Sequence, residues 1–132
     1  MKEQMIFNFT KENPDVDKRK KDCEQILYKY PEKIPIICQK DPNCNILPEI
    51  DKTKFLVSKE LTVAQFNCMI RNSLGVNEEE SAFYLLVNMK YTITGDISLS
   101  EVYQKYKSPQ DGFLYIMYTS TQVWGSNSKL NF

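Results

Sequence analysis

Thr62 and Gly75 bracket the most tightly specified element of the chain. Thr62 with Gln65 three residues on forms a capping box, Val63, Phe66, Met69, Ile70 and Leu74 make an apolar stripe at helical spacing, and Gly75 supplies the stop. A helix defined in this way must bury its stripe, and β-rich runs flank it on both sides. Upstream, Ile34 to Lys40 (IPIICQK) and Lys52 to Val57 (KTKFLV) are joined by a polar, Pro-containing segment and read as a hairpin with a long loop. Pro35 requires a position without a ladder donor. Downstream, Phe83 to Val87 (FYLLV) suits a strand buried on both faces, and Phe113 to Tyr118 (FLYIMY) is the last strand. Two further helices are expected. One runs from Asp17 to Tyr30 with Cys23, Ile26, Leu27 and Tyr30 on one face and ends at Pro31. The other follows a turn segment containing Gly95, with Ser98 and Glu101 as its capping box and Leu99, Val102, Tyr103 and Tyr106 at helical spacing. This order predicts an α+β, ubiquitin-like β-grasp: a four-stranded mixed sheet gripping one helix, with an N-terminal helical extension. The expected organisation is an extension over residues 1–30, a core over 31–118 and a polar tail beyond.

Composition narrows the chemistry. The 132 residues suit one domain. Seventeen basic and 17 acidic side chains balance to zero, which argues against a general nucleic-acid or anionic-membrane binder. The complete lack of histidine removes Ser-His-Asp and Cys-His catalysis and every His-containing metal site. No catalytic residue, cofactor or metal is expected. No run approaches the roughly 20 apolar residues of a membrane span, and the first ten residues lack a signal-peptide core, so the expectation is a cytoplasmic protein. Cys23, Cys38, Cys44 and Cys68 form no C-x-x-C pair and read as reduced packing thiols. The run Lys18 to Lys21 (KRKK) reads as a solvated helix face, with lipid head groups or cytoskeleton as the alternative contact. Nothing demands more than a monomer.

Beyond Tyr118 the chain reads TSTQVWGSNSKLNF, polar apart from Val123-Trp124-Gly125. Seven extended residues from Thr119 to Gly125 would reach about 25 Å. Gly125 has two readings: ordinary tail composition, or backbone able to enter a channel too narrow for a side chain. Trp124 is either part of that signal or folds back onto the domain.

The segments KYPEKIPIICQK (29–40), IDKTKFLVSKELTVAQFNCMIR (50–71), FYLLVN (83–88), VYQKYKSPQDGFLYIMY (102–118) and Trp124-Gly125 together resemble one family. It is the autophagy ubiquitin-like modifier family, which contains GABA-receptor-associated protein and microtubule-associated protein light chain 3. The strings D-K-x-K-[FY]-L-V, L-T-V-x-Q-F and D-G-F-L-Y, in this order, make the match specific. The resemblance implies a modifier that is not an enzyme. It implies cleavage by a processing cysteine protease between Gly125 and Ser126, after Trp124, with 119–125 as a conjugation tail and 126–132 as a removable propeptide. Activating and conjugating enzymes would then join Gly125 to phosphatidylethanolamine on autophagosome membranes.

The resemblance also implies recognition of autophagy receptors by β-augmentation beside Lys52 to Val57, through acidic peptides of pattern aromatic-x-x-aliphatic. Ile26, Pro35, Lys54, Leu56 and Phe113 are implied for the aromatic pocket. Phe55, Val57, Leu61, Phe66, Met69 and Ile70 are implied for the aliphatic one, with Arg71 at its rim. Lys33, Lys52 and Lys54 are implied to meet the acidic flank. Without the family, Phe66, Met69 and Ile70 read as core. Leu56 does not, because with Phe55 and Val57 it makes both faces of one strand apolar. The chain departs from the family at Asn72-Ser73, where a basic pair is usual, at Ser58 in place of proline, and at Asn88-Met89-Lys90-Tyr91-Thr92. The first helix region and the loop Asn43 to Asp51 are each one residue longer than usual. Two other classes remain: a ubiquitin-like peptide-binding module in vesicle trafficking that is not conjugated, and a small enzyme using Cys44 or Cys68.

Overall fold

A computed structural model describes residues 7–76 and 83–120, which form α1 (Asn8–Glu12), α2 (Val16–Lys29), β1 (Lys33–Lys40), β2 (Lys54–Ser58), α3 (Val63–Leu74), β3 (Phe83–Val87), β4 (Tyr91–Ile93), α4 (Leu99–Tyr106) and β5 (Leu114–Ser120). The signals of α3 act as expected. Thr62 Oγ1 accepts the Gln65 N–H at 3.2 Å and Gln65 Oε1 accepts the Thr62 N–H at 2.9 Å, while Gly75 adopts φ 70° and closes the last turn of α3. At α4 half of the expected capping box forms: Ser98 Oγ accepts the Glu101 N–H, with no return bond from the Glu101 side chain to the Ser98 N–H.

The strands form one sheet in the order β2-β1-β5-β3-β4, with β1 and β5 parallel and the other neighbours antiparallel. Among the described residues the sheet therefore has five strands, not the expected four. Tyr91–Ile93 was expected as turn because three residues are too few to show a period. The β3-β4 turn places Asn88 at φ 53° and Met89 at φ 61°, a left-handed pair more often signalled by glycine. Helix α1, five residues long, was likewise not anticipated.

Both faces of the sheet are covered, and β1 shows why IPIICQK is apolar throughout. Ile34, Ile36 and Cys38 join Val57, Phe66, Ile70 and Leu114 on the side of α3 and α4. Ile37 joins Phe113, Tyr115 and Met117 on the other, against Phe7, Phe9 and Cys23 from the N-terminal segment. Pro35 fits because its missing donor side faces β5, where pairing begins only at Ile36↔Leu114.

The N-terminal helices are held by an ion pair that corrects the reading of KRKK as an entirely solvated face. Arg19 is 4% exposed, and its Nε lies 2.9 Å from Asp111 Oδ2. Arg19 Nη1 also donates to Asn13 O, and Tyr115 donates its hydroxyl to Asp111 Oδ2 at 2.6 Å. Lys18, Lys20 and Lys21 are exposed. The D-G-F string thus has three separate duties. Asp111 pairs with Arg19, Gly112 takes φ 87° where a Cβ would stand 3.1 Å from Cys23 Sγ, and Phe113 packs on Phe9.

At the C-terminal side, β5 continues through Ser120, with Tyr84↔Thr119 and Phe83↔Ser120 paired and both residues of β5 buried. Thr119 and Ser120 therefore belong to the sheet rather than to the tail expected from 119. Trp124, Gly125, Ser126 and the rest of the expected tail and propeptide lie outside the described residues.

All four cysteines are free thiols; Cys23, Cys38 and Cys44 are buried and Cys68 is exposed. Burial, reinforced by the charge of Asp111, pushes Cys23 up to about 11 from its ordinary 9.0. Burial raises Cys38 and Tyr118 in the same direction. In each case the folded state favours the neutral form, so the contribution is complete below the group's ordinary value, 9.0 for the two thiols and 10.0 for Tyr118, and declines as pH rises beyond it. Denaturant midpoints are expected to hold between pH 7.5 and 9 and to fall by pH 10.5. At pH 7.5 a maleimide should modify Cys68 alone in the native protein and all four thiols after denaturation. A second native adduct would contradict this packing.

Candidate functional site: an open sheet edge between two apolar surfaces

Among the described residues, strand β2 stands at the edge of the sheet and pairs only with β1, in the register Pro35↔Leu56 and Ile36↔Phe55. Alternation sends Phe55 and Val57 towards α3 and leaves Lys54 and Leu56 on the face shared with Pro35 and α2. Leu56 is 38% exposed, with no core role to hold it there.

On the α2 side lies a cavity of about 550 Å³. It brings together all five residues expected for an aromatic pocket: Ile26 from α2, Pro35 from β1, Lys54 and Leu56 from β2, and Phe113. Lys52 is at its rim, while Phe55, expected in the second pocket, also contributes to this one. Phe9 of α1 was not anticipated. It meets Phe113 edge-on at 5.2 Å, and Lys54 Nζ lies 5.3 Å over its ring. Its only sequence signal is the alternation Phe7-Asn8-Phe9 in a polar N-terminus. Lys52 Nζ lies in the same way 5.3 Å over Phe55. Both ammonium groups are thus attracted to aromatic faces beside the cavity. Lys33 pairs with Ser58, at the opposite end of the β1-β2 ladder from Lys54.

The α3 side is less open. Phe66 and Ile70 are 0% exposed and Val57 is 7%, so these three are core and support the surface from below, as helical spacing alone suggests for Phe66 and Ile70. Phe55 stands edge-on to Phe66 at 5.6 Å. The accessible apolar surface here comes from Phe55 and Leu61, both half-buried, and Met69, which is 39% exposed. Arg71 is not at this rim. It lies about 200° around α3 from Met69, its Nε donates to Asn67 Oδ1 at 2.7 Å, and its guanidinium sits 5.2 Å over Phe83. Phe83 belongs to β3, three strands from β2 and therefore about 14 Å away. The residue one turn beyond Met69 on the same flank is Ser73, which is exposed.

The opposite edge is β4, only three residues long, beside a cavity of about 310 Å³. Among the described residues no cluster of three Cys, Asp or Glu side chains is placed to hold a metal. Cys44 is 0% exposed, which removes it as a nucleophile in the folded chain.

Comparison with known proteins converges on one family. The family described as "Autophagy protein Atg8 ubiquitin like" matches residues 18–125. Human microtubule-associated protein 1 light chain 3 gamma is 41% identical over 107 residues, 81% of this chain and 71% of its own length. Autophagy-related protein 8 of Dictyostelium discoideum is 38% identical over 122 residues, 92% of this chain and 97% of that one. Among solved structures, Trypanosoma brucei ATG8 superposes with a TM-score of 0.72 at 33% identity, covering 80% of this chain and 88% of that one. The edge strand, the helix-covered sheet and the matched length together place this chain in the Atg8 family of ubiquitin-like autophagy proteins.

Proposed function

We propose that this chain is a membrane-anchored adaptor of autophagosome formation: a modifier cut after Gly125, carried by activating and conjugating enzymes to phosphatidylethanolamine, and used to recruit cargo receptors. In this reading the chain is acted upon and is not itself an enzyme. Among the described residues no helix is long and apolar enough to cross a membrane. Two acyl chains, at about 0.8 kcal/mol per buried CH₂, supply a stable anchor. The protein would then pass between the cytoplasm and the autophagosome membrane.

The observation that carries the recruiting role is an unpaired edge strand with apolar surface on both of its faces. A peptide added beside β2 as a strand alternates its side chains, so residues three apart point to opposite faces. An aromatic residue entering the α2-side cavity leaves an aliphatic residue three positions later facing Phe55, Leu61 and Met69. The cavity lies along Lys52 to Leu56 and the α3-side surface along Val57 to Leu61. The motif therefore runs parallel to β2, with Lys52 and Lys54 beside its aromatic end, where an acidic flank would be attracted.

Two measurements test this reading. The protein isolated from its native cells should have a mass ending at Gly125, with a phosphatidylethanolamine-bearing form on membranes. Finding only the chain through Phe132 would favour the unconjugated module. In the groove, Leu56→Asp should weaken an acidic aromatic-x-x-aliphatic peptide about 30-fold or more, the scale of a hot-spot contact. The fold should persist because Leu56 is exposed, and unchanged affinity would mean that the peptide binds elsewhere.

A further inference from the structure

The ladder between β1 and β2 determines which backbone groups of β2 are free. Cys38 donates its N–H to Thr53 O at 2.8 Å, and Lys59 donates its N–H to Glu32 O at 3.1 Å. Sides alternate along an antiparallel strand, so residues 53, 55, 57 and 59 turn their backbone groups towards β1, and Lys54, Leu56 and Ser58 turn theirs off the sheet. Two other bonds agree with this parity. Lys33, opposite Ser58, gives its N–H to Tyr30 O rather than to β2, and Ser58 O accepts the Leu61 N–H. Ser58 is exposed and retains an outward N–H at the end of β2 where the α3-side apolar surface lies.

We propose that the Ser58 N–H is a third backbone donor of the docking edge, after those of Lys54 and Leu56, and bonds a carbonyl of the bound peptide close to its aliphatic residue. The inference rests on the edge-strand reading above and adds to it a conformational requirement. The partner must remain extended through its aliphatic position, because a peptide that turns helical after its aromatic residue would spend that carbonyl on its own chain. Selectivity is thereby set by backbone shape as well as by side chains.

The test uses the full chain and an acidic aromatic-x-x-aliphatic peptide. In wild type, peptide binding should slow hydrogen exchange at the Ser58 amide together with those of Lys54 and Leu56. Ser58→Pro removes the donor at a strand end that tolerates proline, and should weaken the peptide about 2- to 12-fold, the worth of one neutral hydrogen bond. Ser58→Ala keeps the N–H and loses only the hydroxyl, which accepts the Glu60 N–H, so it should bind as wild type does. Protection of Lys54 and Leu56 without Ser58, or full affinity in Ser58→Pro, would overturn the third donor alone. No binding and no protection anywhere on β2 would overturn the edge-strand reading and this inference with it. The exchange measurement needs no variant, so it decides the matter even if Ser58→Pro does not fold.

Discussion

Replacing Asp111 by alanine should destabilise the protein by about 3–5 kcal/mol, the cost of leaving a buried charge without its partner. Asp111 is 1% exposed and receives Arg19 Nε, the Tyr115 hydroxyl and the Phe113 N–H, so one substitution strands a cation and two donors. Arg19 has little alternative, since among the described residues its other side-chain hydrogen bond is to Asn13 O. Replacing both ends with apolar residues, Arg19→Met with Asp111→Leu, should recover part of the loss, because the desolvation cost disappears along with the attraction. Chemical denaturation of the three proteins reads this directly, and a loss below about 1 kcal/mol in Asp111→Ala would show that the pair is not the fastening it resembles. The same variant should loosen the α2-side cavity. Arg19 ties α2 to the loop before β5, and Ile26 of α2, Phe9 of α1 and Phe113 meet around that space. Peptide affinity should therefore fall in Asp111→Ala even under conditions where the protein remains folded.

The contrast between α3 and β4 shows which parts of this fold were legible in the sequence. α3 carries its start, its stripe and its stop within 14 consecutive residues; the start and the stop act through local hydrogen bonds, and the stripe shows at helical spacing which face is buried. β4 has three residues and forms through pairing with β3 and a turn in which Met89 accepts a left-handed conformation. Nothing local announces it. The aromatic cavity was readable because five of its residues carry side-chain types that the family match names, yet Phe9 was not, since a five-residue helix has no period. Arg71 was misplaced for a related reason: a helical stripe gives the buried face, but which strand lies beside each flank depends on sheet order. Arg19 and Asp111 are 92 residues apart, and one of them hides in a run of lysines, so no spacing rule could have joined them.

Gly125→Ala should abolish both processing and lipid attachment while leaving folding and peptide binding intact. Joining the chain to an amine requires a free carboxylate on Gly125, and the Gly125-Ser126 peptide bond must be cut before that carboxylate exists. Gly125 lies five residues beyond Ser120, the last residue of β5, a length of chain that spans at most about 17 Å. In the proposed function a protease and a conjugating enzyme would accept backbone within that reach of the folded domain, and a methyl group at residue 125 would oppose that close approach. The substitution lies outside residues 7–76 and 83–120, which form the sheet and the β2 edge, so stability and affinity for an acidic aromatic-x-x-aliphatic peptide should match wild type. In cells the variant should retain the Gly125-Ser126 equivalent bond, remain in the soluble fraction and form no membrane puncta. Normal puncta would remove Gly125 from its proposed role. A second variant, truncated after Gly125, separates the two steps: it should be lipidated without the protease, and Gly125→Ala in that truncated chain should still fail if the conjugating enzymes, and not only the protease, require glycine.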